Sequence, residues 1–323
     1  MSLAPLGPGR NRFMQITGTF LDEITHDIPS QNWGKAEWAA DFAAMRHIGI
    51  DTVILIRAGY RERAVYESAV LNRHRPMMPV REDLARRFLD LASTHGMKLF
   101  WGLYDPGDWA SNGGDALGVN VAFTREVHER YGDHPAFGGW YLSFELSRDD
   151  PRQVDLVVRA GQHVRSLAPG LPTLISPYIA GVKAPPGEAA IPQAQFAAEW
   201  SSIFRRLSGV IDIVAFQDGH VDFLELPAYL RTNAELAREH GITCWSNVET
   251  FDRDMPIRFP PIDWRKLEYK LRAAAEAGVE KIITFEFSHF MSPHSSYRTA
   301  HHLFRRYCEH HGLPSLPDGA GAP

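Results

Sequence analysis

Three glutamates close or end short β-prone runs in this sequence: Glu145 in FGGWYLSFE, Glu249 in TCWSNVE and Glu286 in KIITFEFS. Side chains alternate along a strand. Tyr141, Ser143 and Glu145 therefore share the face opposite Trp140, Leu142 and Phe144, while Thr243, Trp245, Asn247 and Glu249 oppose Cys244, Ser246 and Val248. On the same rule Thr284 and Glu286 point inward, and Phe285 and Phe287 point to the helix layer. An inward carboxylate must be solvated, hydrogen-bonded or paired, because burying it bare neutralises it. Two carboxylates across one opening suit cleavage of a glycosidic bond: one protonates the leaving oxygen, and the other attacks the anomeric carbon or activates water. The expected assignment is Glu145 as acid/base and Glu249 as nucleophile, with Arg57 keeping Glu249 ionised and Asn247 or Gln217 binding hydroxyls. A gap of about 5 to 5.5 Å would give retention of configuration, and one of about 6.5 to 9.5 Å inversion.

Other polar residues fall at the ends of neighbouring runs: Asp22 and Glu23, Tyr104 and Asp105, Tyr178, and Gln217 with Asp218. Interspersed aromatics, notably Trp33, Trp109, Trp245, Phe251 and Phe290, would complete a saccharide surface, ring faces on carbons and polar groups on hydroxyls. His289 and His294 follow the last run near the same rim, whereas His301, His302, His310 and His311 belong to the final helix. Each has a plainer reading. Asp218 in QDG can be a turn former, Trp33 and Trp109 loop anchors, and Cys244 a small apolar residue facing the helices. No HxH or HExxH spacing marks a metal site.

Positioning such residues needs a frame, and one pattern recurs: a β-prone run, a polar loop, an amphipathic helix, then another run. The runs begin near Gln15, Thr52, Lys98, Phe137, Thr173, Asp212, Thr243 and Lys281. Their spacing of about 38 residues accommodates strand, loop, helix and loop. Four times a helix stops at glycine just before a run, in HIGIDTVIL, HGMKLFW, HGITCWS and AGVEKII. Alternating strands and helices require a parallel sheet with right-handed crossovers. Eight units predict an α/β fold, a single-domain (β/α)8 TIM barrel over 15–313, with a flexible segment over 1–14 and a loose tail over 314–323. Long loops are expected over Tyr60–Pro79, Pro106–Asn120 and Ala180–Gln193. The competing open doubly wound sheet lacks a GxGxxG or GxxxxGK[ST] after any strand, and NGGDALG at Asn112 has neither spacing.

The composition fits this frame. Of 323 residues, 44 % are hydrophobic and 23 % charged, which argues against disorder, collagen and coiled coil. With 34 Lys and Arg against 39 Asp and Glu the formal charge is −5, so nucleic acid is not an expected partner. The two cysteines, Cys244 and Cys308, offer neither a disulfide framework nor a CxxC metal site. No run approaches about eighteen apolar residues, and MSLAPLGPGRNRFM lacks a secretory apolar stretch. The expectation is a soluble cytoplasmic protein without a cofactor, acting on an oligosaccharide or glycoside.

Glu145 at the fourth strand end, Glu249 at the seventh and Arg57 on the second resemble, position by position, the largest clan of retaining TIM-barrel glycoside hydrolases. More closely, ITGTFLDEITHDIPSQNWGKAEW, MRHIGIDTVIL, AFQDG and FEFSHFMSP resemble a bacterial family of glycoside-hydrolase-type barrels catalogued as a domain of unknown function. The resemblance spans most of the chain and implies the same fold and a glycosidase activity. Where the clan has Asn before its acid/base glutamate, this chain has Phe144; where the clan has an aromatic on the eighth strand, it has Phe285-Glu286-Phe287. Glu286 and Asp218 are thereby alternative acids or bases. Two other functions compete: a metal-dependent sugar isomerase or epimerase drawing ligands from Glu145, Asp218, Glu249 and His289, and a barrel that only binds saccharide.

Overall fold

In a computed structural model the described residues are 15–314 and 316, apart from 26–27, 108, 182, 184–189 and 256, with the backbone alone described over 109–115. The expected flexible segment over 1–14 and most of the expected tail over 314–323 lie outside them. Along the chain run β1 (Ile16–Leu21), β2 (Thr52–Leu55), β3 (Gly59–Tyr60), β4 (Arg63–Ala64), β5 (Lys98–Gly102), β6 (Tyr104–Asp105), β7 (Phe137–Tyr141), β8 (Thr173–Ile175), β9 (Ile213–Gln217), β10 (Thr243–Glu249) and β11 (Lys281–Phe285). Eight of these close a parallel barrel in the order β1-β11-β10-β9-β8-β7-β5-β2, and β3, β4 and β6 form a small separate sheet. This is the single-domain (β/α)8 TIM barrel that the repeating pattern predicts. Six of the eight barrel strands begin at the anticipated residue, and the other two begin one residue later.

The barrel has two apolar layers because each strand buries both faces. Outward residues such as Trp140, Leu142, Cys244 and Val248 join the large core beneath the helices. Inward residues, among them Phe20, Ile54, Phe100, Tyr141, Trp245 and Ile283, fill the interior. Above this filled floor the barrel opens at the end where the strands finish.

Local signals set the helix ends. Asp150 accepts from the Arg152 amide at the start of α5 (Pro151–Leu167), where Pro151 sacrifices an amide that has no helical partner. Asp263 caps α8 (Trp264–Ala277) likewise, and Gly278 ends it at φ 76°. The long loop expected over Pro106–Asn120 is instead largely helix, within α4 (Trp109–Tyr131). Its three glycines, Gly113, Gly114 and Gly118, cost about 3 kcal/mol of helix propensity, which a 23-residue helix outweighs. Among the described residues no helix is long and apolar enough to cross a membrane.

Candidate active site

At the carboxyl ends of the strands lies a cavity of about 250 Å³, lined by both Glu145 and Glu249. Glu145 follows β7 on a stretch pinned by Ser143, whose hydroxyl donates to the Ile56 carbonyl at 2.6 Å and accepts from the Leu103 amide at 3.0 Å. The side chain of Glu145 reaches into the opening while its neighbours stay buried. Burial works against the charge of Arg57, but Glu145, Asp105 and Asp22 outweigh it and hold the guanidinium firmly protonated. Burial and the Glu145 charge together push the Tyr141 hydroxyl up.

Glu249 ends β10 and is 1 % exposed. Arg253 forks it, Nε to Oε2 at 2.8 Å and Nη2 to Oε1 at 2.7 Å. Behind this pair the Glu249 amide donates to Asp218 Oδ1 at 3.1 Å, and Lys270 Nζ donates to Asp218 Oδ1 at 2.8 Å and to the Glu249 carbonyl at 3.3 Å. Burial opposes ionisation of Glu249, but Arg253, Lys270 and His220 prevail and hold its carboxyl below the usual range. Asp218 shifts the other way, because burial and the nearby Glu249 charge outweigh Lys270. Gly219 is required beside them, since a Cβ there would overlap Glu249 Oε2 and Arg253 Nε.

The cavity walls differ in character. Phe20, Ile56 and Phe285, on or just after β1, β2 and β11, which neighbour one another, make an apolar arc. The opposite arc carries Glu145, Tyr178, Gln217, Asn247 and Glu249. Gln217 donates to the Ser176 carbonyl at 2.7 Å, and Asn247 donates to Ser176 Oγ at 3.1 Å. Asn247 Oδ1 is buried with no partner among the described residues, so it is available to a ligand hydroxyl. Phe251, Phe259, Arg253 and Arg258 form a roof from the loop after β10.

The structure therefore brings Glu145, Tyr178, Gln217, Asn247 and Glu249 together and moves several other expected residues elsewhere. Arg57 does not hold Glu249; its Nε binds Asp105 at 2.8 Å, and Arg253 takes the expected role. On β11 the expected phase is reversed: Ile283 and Phe285 point inward, because the barrel interior is itself apolar. Glu286 is consequently fully buried, accepting from the amides of Ser288 and His289 and from His289 Nδ1. His289 Nε2 meets the Pro29 carbonyl at 2.7 Å, also away from the cavity. Asp218 stands behind Glu249 against Lys270. Tyr104 is buried with its hydroxyl donating to the Arg61 carbonyl at 3.1 Å. Trp33 packs edge-on against Trp38, centroids 5.0 Å apart, as a loop anchor. Trp245 sits one inward position below Asn247 in the barrel floor. The side chain of Trp109 lies outside the described residues. The ligand set weighed for a metal is dispersed by these placements, and among the described residues no three His, Cys, Asp or Glu are grouped to hold an ion.

Residues that sequence reasoning did not single out include Arg253, Arg258, His220, Phe259, Gly219 and Lys270. The only signal for the two arginines was their place in the loop directly after the Glu249 strand, where rim residues of such barrels arise.

The family described as "Domain of unknown function (DUF4434)" matches residues 16–297. Among solved structures, a protein of Bacteroides thetaiotaomicron VPI-5482 described as a "putative alpha-L-fucosidase" is 48 % identical, with a TM-score of 0.90 over 93 % of this chain and 94 % of that one. A β-D-glucuronidase of Dictyoglomus thermophilum shares the fold at 15 % identity and a TM-score of 0.54, covering 94 % of this chain and 51 % of that one. An endo-1,4-β-D-mannanase of Thermotoga petrophila RKU-1 does so at 12 % and 0.54, over 84 % and 87 %. No curated protein sequence matches the chain.

Proposed function

The chain belongs to the DUF4434 family, and from that premise we propose that it is a glycoside hydrolase that uses Glu145 as acid/base and Glu249 as nucleophile. The observation that carries this reading is the shared cavity: two glutamates from separate strand ends face one space, one reaching into it and the other held ionised by a guanidinium. The 48 % identical neighbour described as a "putative alpha-L-fucosidase" supports the same class.

In the first step an oxygen of Glu249 attacks the anomeric carbon, while Glu145 gives its proton to the departing glycosidic oxygen, leaving a glycosyl ester and a free alcohol. In the second step Glu145, now a carboxylate, takes a proton from water as the water displaces Glu249 from that carbon. Arg253 occupies two of the roughly four lone-pair sites of Glu249, so acceptor capacity remains for bond formation. Asn247 and Gln217 orient hydroxyls, and the apolar arc of Phe20, Ile56 and Phe285 receives the carbon-rich side of the sugar.

The test is hydrolysis of a panel of aryl glycosides, beginning with an aryl α-L-fucoside, by the parent protein, Glu145→Gln and Glu249→Gln. The proposal expects turnover by the parent and a loss of about 10²- to 10⁴-fold in each variant. Glu249→Gly should regain activity with azide and give a glycosyl azide. Absence of turnover across the panel, or full activity in Glu249→Gln, overturns it.

A further inference from the structure

Among the described residues, most charged groups around the cavity sit in ion pairs. Glu249 answers Arg253, Asp105 answers Arg57, Asp218 answers Lys270, and Asp252 and Asp254 answer Lys266 and Lys183. Arg258 lines the same cavity and has no carboxylate partner among the described residues; its one neighbour of note is an aromatic ring.

Arg258 is exposed, on a loop whose base is held in place. The loop that carries it is closed at its base by bridge pairing of Phe251 with Pro261. The Arg258 guanidinium lies 4.8 Å from the Phe259 centroid, and Phe259 packs on Phe251 with centroids 4.6 Å apart. Arg253 covers the same two rings at 4.8 and 5.6 Å. A guanidinium whose face rests on a ring keeps its edge N–H groups free, and that edge matches the two oxygens of a carboxylate or sulfate.

Resting on the glycosidase reading of this cavity, we propose that Arg258 is a specificity residue that receives an anionic substituent of the saccharide, the carboxylate of a uronate or a sulfate ester. Glu249 is already answered by Arg253, so the Arg258 guanidinium at the roof is left to meet an incoming anion. A saccharide decorated with hydroxyls alone offers this exposed guanidinium no opposite charge.

Binding separates this inference from the catalytic one. In Glu145→Gln, which should leave ligands intact, calorimetry compares a methyl glucuronide with the corresponding methyl glucoside, and a sulfated methyl fucoside with its unsulfated parent. At low salt one anionic member should bind about tenfold or more tighter than its neutral partner, with the advantage shrinking as salt is added. The pair that shows the preference identifies carboxylate or sulfate. Adding Arg258→Gln should bring the anionic-to-neutral ratio toward one, while Arg258→Lys should keep part of it. Equal binding of both members in both pairs, or a preference unaltered by Arg258→Gln, overturns the inference. Should Arg258→Gln not fold, the Arg258→Lys ratio and the salt dependence decide in its place. Hydrolysis of neutral glycosides without any anionic preference would sink this inference alone; an anionic preference without turnover would sink only the catalytic reading.

Discussion

Gly219 packs so closely against the Glu249 carboxylate that a methyl group at this position would overlap Oε2 and the Arg253 Nε bound to it. The atoms that would have to yield belong to a two-point ion pair whose carboxylate is buried. Gly219→Ala should therefore displace the fork while leaving the barrel folded. The expected result is a fall in kcat/KM of about tenfold or more, equivalent to about 1.4 kcal/mol of transition-state stabilisation, with an unchanged circular dichroism spectrum. Parent-like kinetics would show that the fork does not orient Glu249.

Arg253 holds the Glu249 carboxyl below its usual range against the pull of burial. Without the guanidinium, burial dominates and the acid form of Glu249 persists to higher pH. In Arg253→Met the acidic limb of the kcat/KM profile should shift upward, so that activity is lost sooner on acidification. Arg253→Lys keeps a charge but no fork and should fall between the two. A fixed acidic limb in all three proteins would contradict the assignment.

The buried pair of His289 and Glu286 ties the chain after β11 to the loop at Pro29. Burial disfavours the imidazolium, yet Glu286, the Pro29 carbonyl and Asp22 overcome this and raise His289 to about 9. A group with a raised folded-state value stabilises fully below its unfolded value of about 6.5, and that contribution is lost as pH rises through about 9. The Tm should accordingly drop between pH 6.5 and 9.5. His289→Gln should lower Tm at pH 6.5 and flatten the drop, whereas an equal slope in both proteins would assign it elsewhere.

Trp33 rests on Trp38 and the outer core instead of on the cavity. Trp33→Ala should destabilise the fold by about 1 to 3 kcal/mol, read from denaturant titration, with KM unaffected. A several-fold rise in KM at unchanged stability would return Trp33 to the saccharide surface.

The barrel was legible because its strands carry period-two patterns bounded by glycine stops, and the inward faces of β7 and β10 followed from residues such as Trp140 and Val248. Period two identifies the two faces of a strand but not which one is inside. Where the faces differ in polarity, as around Glu145, the choice came out correctly. On β11 the same criterion put Thr284 and Glu286 inside, yet the interior there is apolar: Phe285, assigned to the helix layer, lines the cavity while Glu286 is buried behind it. The fork on Glu249 depends on a loop folding back over its own strand, a long-range shape that no periodicity records. Tyr104 and Trp33 looked like rim residues because a strand end or loop position says little about where a side chain goes once it can reach either the cavity or the helix layer.

The loop closed by Phe251 and Pro261 carries Arg253, which governs the charge of Glu249, together with Arg258, which stands over the entrance. Arg253 leans on Phe251 and Phe259, and Arg258 leans on Phe259. The roles proposed for Arg253 and Arg258 are thereby mechanically joined in one eleven-residue clasp, so a substitution that displaces this segment should disturb both at once.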